Sequence, residues 1–87
     1  MILFDVLAVA GAVADPRRLR ALVLLEGRSL TVSELADAVD VVDSVASYHV
    51  RKLEAAGLVV TTRRGRNTYV RRREGPWRRV LDAFVTP

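Results

Sequence analysis

The sequence predicts a mainly α-helical domain with one small β-hairpin, in the order α-α-(β)-α-α-β-β-α. Apolar residues recur at helical spacing in most of the chain, which indicates amphipathic helices. The stretch LVVTTRRGRNTYVRRRE, residues 58–74, instead has two β-rich runs around a Gly/Asn turn. At 87 residues, without an internal repeat or a low-complexity linker, the whole chain from 1 to 87 is expected to form one domain.

Residues 2–13, ILFDVLAVAGAV, are apolar almost all round, which predicts a helix covered on more than one side. The alternative is a targeting segment, but this stretch has no basic start and contains Asp5. It is also too short to span a bilayer. Because neither signal nor any cysteine is present, we expect a cytoplasmic, nucleoid-associated protein.

The second helix is predicted to start at Pro16, with Asp15 as its N-cap. Gly27 is expected to end it, since glycine readily adopts the left-handed conformation found after helices. Its apolar residues are expected to point inward: Leu19, Leu22, Val23 and Leu25.

A short extended piece at 29–31 is predicted to lead into a third helix at 32–39. Thr31 and Glu34 have the spacing of a capping box, in which each side chain binds the other residue's backbone N–H. The inward residues of this helix are predicted to be Leu35, Ala36 and Val39. Residues 40–43, DVVD, form a tight connection to the next helix.

The fourth helix is predicted at 43–56 and is expected to end because Gly57 takes a left-handed conformation. Ala46, Val50 and Leu53 recur at i, i+4 and i+7 and form its buried stripe. The opposite side therefore faces outward and carries Ser44, Ser47, Tyr48 and Arg51.

Two strands within residues 58–74 are predicted to form a hairpin around Arg64–Asn67, a turn made of arginine, glycine and asparagine. Gly75 and Pro76 then break the chain, and a last helix is predicted at 76–85. Its apolar stripe consists of Trp77, Val80, Leu81, Phe84 and Val85.

The charge is distributed unevenly along the chain. Residues 1–50 carry 4 arginines and 7 acids (net −3), and residues 51–87 carry 10 basic and 3 acidic residues (net +7). Eight arginines lie between positions 63 and 79 beside one acid, Glu74, which is more than solubility requires. The second part of the chain is therefore a candidate for binding a polyanion.

Two helices joined by a tight turn and followed by a basic hairpin have the order of a helix-turn-helix with a wing. The stretches ADPRRLRALVLLEG, SLTVSELADAVD, SVASYHVRKLEAAGLV and RRGRNTYV resemble the winged helix-turn-helix of ArsR/SmtB-type bacterial and archaeal repressors. The resemblance covers roughly residues 4–73. It implies a homodimer that reads double-stranded DNA with the helix at 43–56.

The resemblance also implies that the first and last helices, residues 2–13 and 76–85, form the dimer. The interface residues expected on these helices are Leu3, Phe4, Leu7, Trp77, Val80, Leu81 and Phe84.

Short hydroxyl side chains on the fourth helix would allow close approach to DNA, whereas an ordinary solvated face would carry Glu, Lys and Gln. Tyr48 and Arg51 are the predicted base readers, and the serines are predicted to bind phosphates. Wing residues would follow phosphates or enter a minor groove. The full set of DNA-binding candidates is Ser44, Ser47, Tyr48, Arg51, Lys52, Arg63, Arg64, Arg66, Asn67, Arg17 and Arg18.

Many ArsR-like proteins bind metals through a Cys-x-Cys pair, and here Thr31 and Ser33 occupy the matching positions. Hydroxyls do not hold soft metals. The family's second metal site uses Asp, His and Glu on the last helix, where this chain offers only Asp82. The resemblance therefore implies a member without metal or other cofactor.

The only histidine, His49, has no second histidine or cysteine to join in a metal site, so we expect it to be packed or close to a phosphate. Asp37, Asp40 and Asp43 recur every three residues and could suggest a hard-cation site. They are better explained as caps and solvated turn residues.

The predicted function is sequence-specific transcription regulation, by a dimeric repressor without a metal sensor. The alternative is a winged-helix module that binds protein, although such modules usually lose a basic wing. A membrane-surface role for residues 2–13 lacks flanking basic residues. No nucleophile–base pair, carboxylate dyad or phosphate loop stands out, so an enzyme is not expected. The sequence does not identify any small-molecule effector.

Overall fold

The computed structural model describes the backbone of residues 3–75 and residue 78, and the side chains of 7–75 and 78. The predicted element order is confirmed as far as the second wing strand; apart from residue 78, the predicted last helix at 76–85 lies outside the described residues. None of the helices within the described residues is long and apolar enough to cross a bilayer. The elements are α1 (Leu3–Val13), α2 (Pro16–Leu24), β1 (Leu30–Thr31), α3 (Val32–Ala38), α4 (Asp43–Ala55), β2 (Val59–Arg64) and β3 (Asn67–Arg72).

The predicted caps start α2 and α3. The Asp15 side chain accepts a hydrogen bond from the Arg17 backbone N–H at 2.8 Å. Thr31 and Glu34 form the complete capping box, with bonds of 2.8 and 3.1 Å. These backbone donors stabilise the charged carboxylates and so lower the pKa of Asp15 and of Glu34. Both helix starts therefore follow from local sequence.

The three strands form one antiparallel sheet in the order β1-β3-β2. Arg64 pairs with Asn67, so the hairpin turn consists of Gly65 and Arg66, and Gly65 has a φ of +59°. Such a left-handed conformation suits glycine, which has no Cβ to clash. We call residues 59–72, which comprise β2, β3 and this turn, the wing.

The core lies where the helices meet the inner face of the sheet. Its largest fully buried side chains are Leu22, Leu25, Leu53, Leu58, Val59 and Val70. The prediction for α2 was wrong at two positions, because Leu19 is 42% exposed and Val23 is 55% exposed. The helix contacts the core along the narrower stripe of Ala21 and Leu22, while Leu19 and Val23, four residues apart, share another face.

A short connection joins α3 to α4. Asp40 has a φ of +59°, a conformation that aspartate tolerates better than most residues. The Val41 N–H donates to the Ala36 carbonyl at 2.9 Å, and Ser33 Oγ donates to Asp43 Oδ2 at 2.7 Å. The far end of α4 is followed by Gly57 with a φ of +76°, as predicted. Together these contacts fix the angle at which α4 leaves α3.

Candidate nucleic-acid interface

The helix α4 presents a polar side to solvent because its other side is anchored in the core. Its buried residues are Ala46, His49, Val50 and Leu53. At about 3.6 residues per turn, Ser44, Tyr48 and Arg51 lie on the opposite side. Tyr48 is 47% exposed, Ser44 and Arg51 are exposed, and Ser47 is half-buried. The structure thus brings the candidate base readers onto one side of one supported helix.

Tyr48 lies between two side chains of the same helix. Its ring forms an edge contact with the His49 ring, with centroids 5.5 Å apart and planes at 66°. The Lys52 Nζ lies 5.5 Å from the Tyr48 ring centroid, within the range of a cation–π contact. These contacts restrict the tyrosine ring while leaving its outer part exposed.

His49 is packed, as predicted, with 8% of its surface exposed. Its Nδ1 lies 3.3 Å from Arg18 Nη1, and because arginine can only donate, Nδ1 is assigned as the acceptor. Burial lowers the pKa of His49, the charges of Arg18 and Arg17 lower it further, and Asp15 opposes them. His49 is therefore neutral near pH 7, with its proton assigned to Nε2.

Arg18 connects α1 to α4. Its Nε donates to the Ala12 carbonyl at 2.6 Å and its Nη2 donates to the Gly11 carbonyl at 3.4 Å, in addition to the contact with His49. These carbonyls lie at the C-terminal end of α1, where backbone acceptors lack helical partners. The predicted phosphate contact of Arg18 would have to use its remaining donors, whereas Arg17 is exposed.

The tip of the wing carries exposed basic residues. Arg63 and Arg64 are adjacent on β2, so their side chains start from opposite faces of the sheet. Arg63 Nε donates to the Gly65 carbonyl at 3.1 Å, and the Arg64 guanidinium carbon lies 5.7 Å from the Tyr69 ring centroid. All four wing candidates, Arg63, Arg64, Arg66 and Asn67, are exposed.

The wing also contacts the helices through Thr61 and Arg72, whose partners the sequence did not indicate. Thr61 Oγ1 donates to Glu54 Oε2 of α4 at 2.8 Å. Arg72, with 7% of its side chain exposed, donates to the Leu22 carbonyl at 2.8 Å and pairs with Glu74 at 2.9 Å. The Arg72 guanidinium lowers the pKa of Glu74. Because side chains alternate along a strand, the sequence could have distinguished Arg72 from Arg71. No nearby residue, however, indicated that the acceptor for Arg72 lies on α2.

Thr31 and Ser33, the two hydroxyl residues that the resemblance matches to a Cys-x-Cys pair, both have structural contacts. Thr31 caps α3, and Ser33 donates to Asp43 across the turn. Neither is a soft ligand, and the chain has no cysteine, so these positions do not fit a soft metal. Among the described side chains, those of residues 7–75 and 78, no group of three His, Cys, Asp or Glu could hold a metal ion.

Of the predicted dimer residues, the structure describes the side chain of Leu7 alone, which is 62% exposed. The backbone of Leu3 and Phe4 belongs to α1, but their side chains lie outside the described part of the structure. The remaining candidates also lie outside it: Trp77, Val80, Leu81 and Phe84.

The chain is similar to known regulators over most of its length. The HTH-type transcriptional regulator YceK of Bacillus subtilis (strain 168) is 32% identical over 76 residues, which is 85% of this chain and 76% of that protein. The transcriptional repressor SmtB homolog of Synechocystis sp. is 43% identical over 58 residues, or 67% of this chain and 44% of that protein.

Among solved structures, the homodimeric winged helix-turn-helix DNA-binding domain (fragment 1–100) of a Mycobacterium bovis protein matches with a TM-score of 0.83 and 32% identity. The match covers 95% of this chain and 78% of that domain. The family model described as "Bacterial regulatory protein, arsR family" matches residues 15–61, from the N-cap of α2 into β2. The chain therefore belongs to the arsR family of bacterial regulatory proteins, which are DNA-binding regulators of transcription and not a family of enzymes.

Proposed function

We propose that this chain is a transcription repressor that binds double-stranded DNA as a homodimer, acts without a metal sensor and catalyses no reaction. The observation that carries this proposal is the exposed polar side of α4, held in place by buried Ala46, Val50 and Leu53. Such a helix can enter a major groove as a rigid unit. It acts in the cytoplasm, on the nucleoid.

In this proposal, residues divide into those that read bases and those that hold the DNA backbone. Tyr48 and Arg51 contact base edges, because they are exposed side chains long enough to reach them. The remaining candidates bind phosphates or a minor groove: Ser44, Ser47, Lys52, Arg63, Arg64, Arg66, Asn67 and Arg17. Arg18 contributes chiefly by holding α1 against α4.

The homodimer is formed by residues 2–13 and 76–85. The Mycobacterium bovis relative is homodimeric, and Leu7 of α1 exposes an apolar side chain that a partner can cover. A two-fold axis would place two α4 helices about 34 Å apart, one turn of duplex, so the binding site should be an imperfect palindrome. A dimer seated on such a site can block a promoter.

Two features support repression without metal. The Synechocystis relative is named a repressor. The side chains at the positions of metal-binding cysteines, Thr31 and Ser33, are hydroxyls with structural partners. We therefore expect DNA binding to be unchanged by Zn²⁺ or a chelator.

The test is a genome-wide pull-down of DNA bound to the tagged full chain, followed by a reporter placed behind the recovered site. We expect an enriched palindrome, and lower reporter output when the protein is present. Recovery of no enriched DNA would contradict the DNA-binding role, and higher output would identify an activator.

The dimer has its own test. Sedimentation at micromolar concentration should show a dimer, and Leu81→Asp should produce a monomer that loses far more affinity for the palindrome than for random DNA. A wild-type monomer that binds the palindrome tightly would contradict the assignment of these helices.

A further inference from the structure

Two valines at the start of α4 are exposed to solvent. Val42 is the N-cap residue and Val45 lies in the first turn, with exposed fractions of 66% and 37%. Neither belongs to the core formed by the described residues, nor to the partly buried apolar side chains packed against that core. Neither lies on the helices proposed to form the homodimer, residues 2–13 and 76–85. Packing among the described residues therefore does not explain why these two positions are apolar.

Val42 is also an unfavourable residue for starting a helix. It has the extended backbone of an N-cap, with a φ of −76° and a ψ of 159°, but its side chain makes no capping hydrogen bond. Serine, threonine, aspartate and asparagine are preferred at an N-cap because their oxygen accepts from an N–H of the first turn. The starts of α2 and α3 have such caps, Asp15 and Thr31. Helix stability therefore does not explain the valine at the start of α4.

The two valines form one row with the proposed base reader Tyr48. Val42, Val45 and Tyr48 follow one another at three-residue spacing, which places successive side chains next to each other on a helix surface. The Val45 N–H donates to the Val42 carbonyl at 3.0 Å, so the first turn is closed and holds the two valines together. The acidic side chain of this turn, Asp43, accepts a hydrogen bond from Ser33 of α3 at 2.7 Å and is thereby held toward α3. The valines thus extend the exposed side of α4 toward its N-terminal end with methyl groups.

Valine side chains are stiff as well as apolar. Because valine is branched at Cβ, few χ1 rotamers are accessible, and the methyl groups of both valines have few alternative positions. Beside its hydrogen-bond donors and acceptors, the major groove of DNA presents one apolar group, the C5-methyl of thymine. A cytosine at the same place presents its N4 amino group, which would lose water there without gaining a hydrogen bond from a valine. A fixed pair of valines therefore favours thymine over cytosine.

We propose that Val42 and Val45 are specificity-determining residues that contact the C5-methyl groups of thymines in the major groove. This proposal rests on the proposed function, because it requires α4 to enter that groove. It gives the valines a task that Tyr48 and Arg51 do not perform, since those two side chains form hydrogen bonds with base edges. Each half of the palindrome should therefore contain a thymine, next to the first turn of α4, whose methyl group contributes to the affinity.

The test removes one methyl group at a time from each half of the DNA site. Each thymine of the recovered palindrome and its symmetry mate are replaced by deoxyuridine, and fluorescence anisotropy measures the Kd of the full chain at constant salt. Deoxyuridine lacks only the C5-methyl and keeps the hydrogen-bonding groups of thymine. At a contacted thymine we expect the Kd to rise about fourfold for each lost methyl group, or roughly 15-fold for the pair, because burial of one methyl group stabilises the complex by that factor. Replacement of the other thymines should leave the Kd unchanged.

A second series of bases separates the methyl group from the rest of the base. Cytosine at the contacted position should weaken binding further than deoxyuridine does, because its amino group meets the valines. 5-Methylcytosine carries a methyl group at the same ring position as thymine, so it should be bound more tightly than cytosine. Equal affinities for cytosine and 5-methylcytosine would contradict the methyl contact.

Protein variants assign the methyl contact to the valines. In Val42→Ala and in Val45→Ala, deoxyuridine should no longer weaken binding at the thymine that the truncated valine contacts, because that contact is already absent. Val23→Ala makes the same truncation at an exposed valine of α2, outside α4, and serves as the matched control. This control should remain as sensitive to deoxyuridine as wild type.

A further variant, Val42→Ser, separates the DNA contact from helix stability. Serine supplies the missing cap of α4, so the melting temperature is expected to rise. The same substitution removes both methyl groups, so affinity for the palindrome should fall and the deoxyuridine sensitivity assigned to Val42 should disappear. A purely structural role of Val42 would make stability and affinity change in the same direction.

Two outcomes overturn the proposal while leaving the proposed function in place. One is a palindrome that wild type binds with the same affinity whichever thymine is replaced by deoxyuridine. The other is a deoxyuridine sensitivity that persists in both Val42→Ala and Val45→Ala, which would assign the methyl contact to another residue. A chain that binds no palindrome contradicts the proposed function, and this proposal with it.

Discussion

The helix α4 and the wing both present positively charged side chains, but the domain supports them differently. One side of α4 is buried through Ala46, His49, Val50 and Leu53, and its end is held by Gly57. The wing is anchored at its base, where Val59 and Val70 are buried, but residues 62–67 are all exposed. The helix α4 is thus held along its length by buried side chains, whereas the tip of the wing has no buried residue.

We propose that this difference gives the two regions different tasks. Reading a base edge requires a donor or acceptor held in a defined position, and the Tyr48 ring is held by its contacts with His49 and Lys52. Holding a phosphate requires only positive charge within reach, which Arg64 and Arg66 supply from the wing tip. We therefore expect specificity from α4 and general affinity from the wing.

The largest expected effect concerns the positive charge that α4 and the wing both carry. With about 6–10 phosphate contacts per dimer, affinity for duplex DNA should fall by roughly 10³–10⁵ between 50 and 200 mM salt, because released counterions drive binding. Anisotropy titrations at four salt concentrations measure this. Arg66→Ala serves as the matched comparison and should reduce the salt slope by about one for each phosphate that the variant no longer binds. Affinity independent of salt would contradict the phosphate contacts of both regions.

The next largest effect concerns the free energy of unfolding, which should depend much more on the buried side of α4 than on the wing tip. Leu53→Ala truncates a fully buried side chain on the inner side of α4 and should lower the free energy of unfolding by about 2–5 kcal/mol. Arg66→Ala, at the exposed wing tip, should change it by no more than about 0.5 kcal/mol. Urea unfolding followed by circular dichroism measures both. Similar reductions in the two variants would show that the wing tip is part of the folded core.

A smaller effect concerns sequence preference, which substitutions on α4 should change and substitutions on the wing should not. Tyr48→Ala and Arg51→Ala should each cost about 1–3 kcal/mol on the palindrome and relax its sequence preference, because the shortened side chain no longer reaches a base edge. Arg64→Ala should weaken binding to the palindrome and to random DNA about equally. Competition assays with single-base variants of the site measure the preference. If Arg64→Ala alone changed the preference, the roles of helix and wing would be exchanged.

The smallest expected effect is the pH dependence of stability that arises from His49, a buried residue of α4. Because burial holds the pKa of His49 in the folded state below its ordinary value of 6.5, the unfolded chain binds a proton first on acidification. The contribution of His49 to stability is therefore complete above pH 6.5 and falls as pH decreases through and below that value. Asp15, which opposes the shift, and Arg17 and Arg18, which increase it, are the charged groups facing His49.

Urea unfolding at pH 7.5 and at pH 5.5 measures this change. His49→Gln keeps an acceptor for Arg18 but does not titrate, so its stability should change less between the two pH values than that of wild type. A larger decrease in His49→Gln than in wild type would show that other groups produce the acid sensitivity.

Sequence alone was sufficient where a feature depends on residues close together in the chain. Asp15 and Thr31 start α2 and α3 by binding N–H groups two or three residues away. Gly57 and Gly65 end α4 and turn the hairpin through their own positive φ angles. Every element boundary that these residues control could be predicted, because the interactions are complete within one turn of chain.

Tertiary structure decided the features that join distant segments. Arg18 meets His49 across 31 positions, and Arg72 meets the Leu22 carbonyl across 50. Before folding, nothing in the neighbouring sequence distinguishes Arg18 from Arg17, which remains exposed, and nothing indicates that the acceptor of Arg72 is the Leu22 carbonyl.

The apolar periodicity of α2 has the same limitation. It indicates a helix with apolar residues on more than one face, but the elements that pack against that helix determine which face is buried. The exposure of Leu19 and Val23 therefore follows from how the helices pack against one another. Local sequence determines where helices and turns begin and end because those interactions are short-range, whereas burial and side-chain partners depend on segments that only folding brings together.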